Sequence, residues 1–398
     1  MKKNKWVIYG SYGYTGSLIA ERAARSNQTV ILAGRDEKKL SEQAFRLNLK
    51  YRKTELNNPD ELDDLLNDAK LVIHCAGPFI NTWKPMADAC IRNRCHYIDI
   101  TGEVDVFESL KKMDYEFGKA GIMALPGAGF DVVPSDCLAM YLKSKLPDAI
   151  SLEMAFQTSR RLSSRGTMKT ISEHLGRGGL VRRDGKLIAV RSAWKTKKID
   201  VGNGPVSVIS IPWGDLSAAY TSTGIENITV YMAMKPSDIR LVKVSNLVNP
   251  LLRSKFVRTL IKKGIELQPP GPTEKERESG KSYFWGKVKN PHGETAEMRL
   301  ITPEGYKLTA ESACLIAYKI ASDDFKPGYQ TPTTAYGKNL IFEINGVKSL
   351  NQGEWHLTWH GHFKKMSFET DSGRMMRVIF NPRVASITRA FFMMKKTN

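Results

Sequence analysis

Three glycines, Gly10, Gly13 and Gly16, stand at three-residue spacing in Gly10-Ser11-Tyr12-Gly13-Tyr14-Thr15-Gly16, directly after the apolar run Val7-Ile8-Tyr9. A helix-forming stretch, Ser17 to Ala24, follows them. Strand, glycine turn and helix in that order is the setting in which such a triplet holds a dinucleotide. The first glycine makes the tight turn. The second lets backbone approach a pyrophosphate. The third lets helix and strand pack closely, with the first amides of the helix facing the anion. All seven residues from Gly10 to Gly16 are therefore candidate cofactor contacts. Arg35 is a further candidate, at the tip of the next apolar run, Thr29 to Gly34. A site for NAD usually places Asp or Glu there to hold the ribose 2′-hydroxyl, whereas a guanidinium fork suits a 2′-phosphate. The expected cofactor is NADPH. Asp36 carries the contrary charge and reads as the cap of the next helix.

These residues need a sheet to hold them. Apolar runs at Trp6–Tyr9, Thr29–Gly34, Leu49–Thr54, Leu71–Cys75, His96–Asp99 and Gly121–Leu125 alternate with amphipathic stretches of helical length, one of them opened by Asn58-Pro59 as cap and first turn. Six such runs predict an α/β fold, a Rossmann-type doubly wound parallel sheet over residues 1–140. Ligands of such sheets lie outside the carboxyl ends of the strands. That places Cys75, Ala76, Gly77 and Pro78 against the cofactor, with Asp99, Thr101, Glu103 and Asp131 beside them.

The pattern changes near Ile150. Short alternating runs at Ser151–Phe156, Val206–Ile211, Ile228–Met234 and Ala296–Ile301 predict an α+β substrate domain over 141–349 with a mainly antiparallel sheet. Thr302-Pro303-Glu304-Gly305 reads as a reversing turn and Ala310–Ala321 as a helix. Residues 350–398 form an appended tail without an assigned role; Met366–Glu369 and Arg377–Phe380 read as strands within it. His356, His360 and His362 fall in this tail, but no fourth ligand accompanies them, and no metal is expected.

The chain has 398 residues, 41% hydrophobic and 25% charged, with a formal charge of +19. That composition describes a globular protein drawn to acidic partners such as phosphate-bearing cofactors or an anionic membrane surface. No nucleic-acid motif accompanies the charge, so no nucleic acid is expected. Five cysteines without framework spacing and an opening, Met1-Lys2-Lys3-Asn4-Lys5, that runs straight into the first strand suggest reduced thiols and a cytoplasmic location. No window reaches the eighteen apolar residues of a spanning helix. The run 241–265 mixes Leu241, Val244, Leu247 and Leu252 with Lys243, Arg258, Lys262 and Lys263. Such a segment suits peripheral contact with a membrane, broken at Pro250.

Several segments go beyond what a fold alone requires. Cys75-Ala76-Gly77-Pro78-Phe79, Tyr97-Ile98-Asp99-Ile100-Thr101-Gly102-Glu103 and Gly127-Ala128-Gly129-Phe130-Asp131-Val132-Val133-Pro134-Ser135-Asp136 resemble the saccharopine dehydrogenase-like oxidoreductase family. In the second half, Ile211-Pro212-Trp213-Gly214-Asp215, Ser282-Tyr283-Phe284-Trp285-Gly286 and Thr302-Pro303-Glu304-Gly305-Tyr306 resemble its branch of trans-acting enoyl reductases. The resemblance covers residues 1 to about 349 and implies an NADPH-dependent reductase acting on a small-molecule or acyl-lipid substrate. It also implies that a helical segment near 305–340 returns to the nucleotide domain. A homodimer follows by analogy. For an enoyl substrate, hydride adds at the β carbon and an acid protonates the α carbon. Tyr97, Glu103 and Asp131 are the candidates for proton handling or substrate orientation. Trp213, Tyr220, Tyr283, Phe284 and Trp285 are candidates for an acyl pocket, and Arg160, Arg161, Arg165 and Lys169 for holding an anionic substrate. Two alternatives stay open: an imine or ketone reductase closer to saccharopine chemistry, and a non-catalytic lipid-surface protein that retains the fold.

Overall fold

The computed structural model describes residues 5–26, 28–158, 164–249, 254–350, 356–360, 363–369 and 375–380. Six strands and seven helices alternate at the start: β1 Lys5–Tyr9, α1 Tyr14–Ala24, β2 Thr29–Gly34, α2 Glu37–Leu47, β3 Lys50–Lys53, α3 Pro59–Leu66, β4 Ala69–His74, α4 Trp83–Asn93, β5 His96–Asp99, α5 Val104–Lys111, α6 Asp114–Ala120, β6 Met123–Leu125 and α7 Val133–Lys145. The strands pair in parallel in the order 6-5-4-1-2-3. Trp6, Val7, Ile8 and Tyr9 are all buried, as a parallel strand covered by helices on both faces requires. The strand order reverses between β1 and β4, which opens a crevice at their carboxyl ends. Asp36 caps α2 by accepting from the Lys39 amide, and Asn58 caps α3 in the same way with Pro59 in its first turn.

The second sheet is built from β7 Ser151–Thr158, β8 Gly179–Arg183, β9 Lys186–Val190, β10 Thr196–Asp200, β11 Pro205–Ser210, β12 Asn227–Ala233, β13 Lys281–Lys289 and β14 Thr295–Pro303. Its main path runs 10-11-12-7-13-14, antiparallel except for the parallel pair of β7 and β12, and the β8–β9 hairpin joins at β12. The intervening helices are α8 Arg165–His174, α9 Asp215–Thr223, α10 Pro236–Ser245, α11 Lys255–Glu266 and α12 Glu274–Ser279. Helices α7 and α9 cover one face of this sheet through Leu138, Leu142, Leu216 and Ala219, which meet Leu152, Met154, Ile228 and Val230.

The chain then returns to the first sheet. Helix α13, Gly305–Ala321, lies on α1, where Ala313 and Ala317 let the two helices approach closely and Ile316 and Ile320 fill the space beside Ile19 and Ala23. Strand β15, Gly328–Tyr329, adds a seventh parallel strand beside β6, one more than the six expected. The expected reversing turn at 302–305 is a helix start instead. Thr302 and Pro303 close β14, and Glu304 caps α13 by accepting from the amides of Tyr306 and Lys307, so the helix begins at Gly305 and not Ala310. A short helix α14, Pro332–Tyr336, packs on α7, and β16, Lys348–Ser349, borders β14. In the tail, β17 His356–His360, β18 Phe363–Glu369 and β19 Met375–Phe380 make a three-stranded antiparallel sheet. His362 lies outside the described residues.

Candidate functional site

Gly10 turns the chain with φ +79°, and a Cβ there would lie 2.9 Å from the Ala76 nitrogen. A Cβ at Gly16 would stand 2.3 Å from the Gly10 carbonyl oxygen, which no side chain can do. The loop is pinned by Gly10 N donating to Ala33 O at 2.8 Å and Gly13 N donating to Gly10 O at 3.0 Å. Helix α1 begins immediately afterwards with no acid in its first turn, so its leading amides form a cradle for an anion. Ser11 turns inward: its hydroxyl donates to Gln43 Oε1, and Gln43 Nε2 donates to the Ser11 carbonyl. Tyr12 lies over Gly34 at the tip of β2 and its hydroxyl accepts from the Asp36 amide at 3.3 Å. Arg35 stands exposed beside it, with Lys39 5.7 Å from the Tyr12 ring.

The far side of the crevice is the loop after β4. Cys75 N donates to Tyr9 O, which ties this loop to β1 beside Gly10. Phe79 and Ile80, in the turn after Pro78, donate their amides to the two oxygens of Glu103 at 2.7 and 3.0 Å. Glu103 thus holds the Gly77–Ile80 backbone, and both of its oxygens are engaged. Tyr97 is fully buried and donates to Asp99 Oδ2 at 2.6 Å, while Asp99 Oδ1 accepts from Thr101 N and Gly127 N. Burial pushes Asp99 up to about 6, although these three hydrogen bonds pull it down. It pushes the Tyr97 phenol up as well. The Tyr97 hydroxyl and both Glu103 oxygens are thus engaged within the loops at the ends of β4, β5 and β6. His74, buried among Tyr9, Phe79 and Tyr97, has been driven down to about 3 by burial and is a neutral imidazole.

Asp131 differs. Its carboxylate sits against Gly102, where an added Cβ would meet Oδ2 at 2.7 Å, and the residue is half-buried. No hydrogen bond to it exists among the described residues. Burial, and then the charge of Glu103, push it up to about 7. Its backbone is fixed: Trp213 Nε1 donates to Asp131 O at 3.0 Å, and the Phe130 amide donates to Thr309 Oγ1.

Of the five aromatic residues expected to line an acyl pocket, two fall on this side. Trp213 and Phe284 gather with Phe130 and Phe156 at centroid separations of 5.2 to 6.1 Å. Strand alternation sends Tyr283 and Trp285 to the opposite face of the sheet, and Tyr220 stacks under the Arg182 guanidinium. The expected basic cluster is also redistributed. Arg165 donates through Nε to Gln268 O, and Lys169 pairs with Glu266, so both tie α8 to α11 and the segment after it. Arg160 and Arg161 lie outside the described residues.

Sequence reasoning missed the roof. Ser164 N donates to the Tyr306 hydroxyl at 2.6 Å, and Thr167 Oγ1 lies 3.0 Å from the same oxygen. Tyr306 meets Tyr14 edge to face at 4.9 Å. The Tyr14 hydroxyl donates to Pro272 O and accepts from Arg277. Thr170 of α8 comes close to Gly77, 3.5 Å from where a Cβ would stand. Helix α8 and the 268–272 segment therefore span the crevice from the glycine loop to the Gly77 loop. These partners are more than ninety residues apart in the chain, and no local pattern signals them.

Residues 6–125 match the model of the saccharopine dehydrogenase NADP-binding domain. The first sheet and its crevice are therefore an NADP-binding domain of that type. The chain is 29% identical over 172 residues to the saccharopine dehydrogenase-like oxidoreductase of Mus musculus, 38% of this chain and 40% of that protein. It is 30% identical over 138 residues to the trans-acting enoyl reductase of Mycobacterium leprae, 33% of each. The similarity thus spans well under half the length of these curated relatives. Among solved structures, saccharopine dehydrogenase (L-Glu forming) from Saccharomyces cerevisiae aligns with a TM-score of 0.59 and 14% identity, over 87% of this chain and 100% of that one. The two-domain architecture is therefore of the saccharopine dehydrogenase kind.

Proposed function

We propose that this protein is an NADPH-dependent reductase of a C=C bond conjugated to a carbonyl in a lipid or polyketide-type acyl intermediate. The reading rests on Asp131: a half-buried carboxyl group at the carboxyl end of the sheet, without a hydrogen-bond partner among the described residues and poised near neutrality. NADPH bound in the crevice would supply hydride. The residues fit that cofactor, because Gly10, Gly13 and Gly16 leave room for backbone to meet a pyrophosphate and Arg35 stands free for a 2′-phosphate.

The chain's own groups then have separate tasks. Ser11, Tyr12, Tyr14 and Thr15 shape the glycine loop, while Cys75, Ala76, Gly77 and Pro78 bound the nicotinamide side. Glu103 fixes that second loop. Phe130 and Trp213, backed by the buried Phe156 and Phe284, offer an apolar wall to an acyl chain. Asp131 in its acid form gives its proton to the carbon next to the carbonyl and is re-protonated from solvent. Helix α8 and the 268–272 segment keep bulk water off the reacting carbons.

Calorimetric titration with NADPH and NADH, on wild type and Arg35→Ala, tests the cofactor side. A preference for NADPH that shrinks in the variant supports it. Oxidation of NADPH by a 2-enoyl thioester, absent with imines and simple ketones, supports the substrate class. Turnover of an imine instead would move the reading to saccharopine-type chemistry.

A further inference from the structure

The basic charge of this chain is unevenly spread. Between residues 177 and 198 it carries eight lysines and arginines against the single acid Asp184. Two of these cations are spoken for, Arg182 by Glu108 and Lys197 by Glu153. Arg183, Arg191, Lys195 and Lys198 make no ion pair among the described residues. Arg183 and Arg191 instead flank Trp194, at 5.9 and 5.8 Å from its ring, and that tryptophan is 38% exposed. Beside it opens a cavity of about 220 Å³ whose lining includes Arg182, Arg183, Trp194, Lys195 and Asn227, together with Glu153, whose charge is met by Lys197.

An apolar surface adjoins this basic one. Asn246 Nδ2 donates to Ser192 O at 3.1 Å, and Ser192 N donates back to Asn246 Oδ1 at 3.0 Å. Lys243 donates to Thr196 Oγ1, and Ile239 and Val242 seat α10 against Ala193. With that inner face buried, the outer face of α10 and the turn after it presents Leu241, Val244 and Leu247 at 70%, 59% and 82% exposure. Three such aliphatic side chains in water are costly, each forgoing the burial that ordinarily stabilises it. Arg240 and Lys243 border them.

We infer that this face seats on an anionic phospholipid surface, with Leu241, Val244 and Leu247 entering the acyl boundary and the cavity beside Trp194 taking a headgroup phosphate. Aliphatic residues, an interfacial tryptophan and a ring of cations on one face are what such a surface selects. The charge argues for lipid phosphate, and the aliphatic stripe would gain nothing from a purely acidic peptide. The expected 241–265 segment is thus only half of the device. Its first part supplies the stripe, α11 turns instead to α8, and the cations come from the 183–198 strands. The inference stands apart from the reductase reading, since none of these residues borders the crevice.

The test is flotation of the full chain with vesicles of phosphatidylcholine alone and of phosphatidylcholine with phosphatidylserine. Wild type should float with the anionic vesicles only. Leu241→Asp/Leu247→Asp and Arg183→Glu/Lys195→Glu should each lower the bound fraction at least tenfold while leaving the thermal unfolding midpoint in place. Binding that is indifferent to both pairs, or absent from anionic vesicles, overturns the inference. So does binding lost with the cation pair, kept with the leucine pair and displaced by polyglutamate, because that pattern marks an acidic-protein site.

Discussion

Two carboxylates sit on neighbouring strand ends and face opposite fates. Glu103, past β5, accepts two backbone amides, at 2.7 and 3.0 Å, and is buried. Asp131, past β6, accepts none among the described residues and is pushed up to about 7. Both follow a parallel strand at the same edge of the sheet, and both are preceded by glycine-containing loops. What separates them is hydrogen-bond supply. A carboxylate that meets converging amides becomes part of the scaffold, whereas one left half-buried without them holds its proton to higher pH. The two are coupled, because the Glu103 charge also helps raise Asp131.

The sharpest way to break this contrast is Asp131→Asn. It should lower turnover roughly a hundredfold to ten-thousandfold, the usual range for losing a general acid, with NADPH affinity and melting temperature unchanged. An enzyme indifferent to this change has its acid elsewhere. Gly16→Ala attacks the other wall. With 2.3 Å to the Gly10 carbonyl, the loop must move, and calorimetry should find NADPH binding lost. Arg35→Ala should be milder, reducing the preference for NADPH over NADH by about tenfold to a hundredfold, as expected for a charged hydrogen bond of roughly 1.5–3 kcal/mol.

Glu103→Gln tests the scaffold half of the comparison. The amide offers one acceptor where two are needed, so one backbone N–H is left facing an NH2 group. A loss of about 1–3 kcal/mol in denaturant unfolding is expected. Its pH profile of kcat/KM should keep its falling limb but with the midpoint moved to lower pH, because the charge that helps raise Asp131 is gone, whereas a proton donor's variant would lose the limb. Wild-type kcat/KM should fall as pH rises through about 7, because the proposed mechanism uses the acid form of Asp131. The smallest effect concerns His74, held neutral down to about 3. The unfolded chain takes up that proton near pH 6.5 and the folded one does not, so stability should fall as pH drops from about 6.5 toward 3. In His74→Gln the melting temperature should vary less over that range.

Local chemistry made much of this legible in the chain itself. The glycine loop and the Asp36 and Asn58 caps depend on residues within a turn of one another, and the alternation of strand and helix patterns is likewise read segment by segment. Pattern and spacing therefore carry them. Arg35 is read the same way, since its place at the tip of β2 follows from counting along one βαβ unit. Tyr97, Glu103 and Asp131 were visible only as a set of acids and a phenol near strand ends. Their roles depend on which amides converge on them, and those come from Phe79, Ile80, Thr101 and Gly127 on separate loops.

The return of α13, the seventh strand and the roof over the crevice were decided in three dimensions. Tyr306 reaches Ser164 across 142 positions of chain, and Tyr14 reaches Pro272 across 258. Strand alternation split the expected aromatic cluster between two faces of one sheet, a matter of register that composition cannot express. The sequence by itself determined a nucleotide-binding α/β domain and its preference for phosphate, because short-range backbone geometry and a single well-placed charge suffice for both. Which carboxylate is held by backbone amides, and which surface is left apolar, was decided only by tertiary structure, because burial and hydrogen-bond satisfaction are properties of neighbours that the chain brings together from afar.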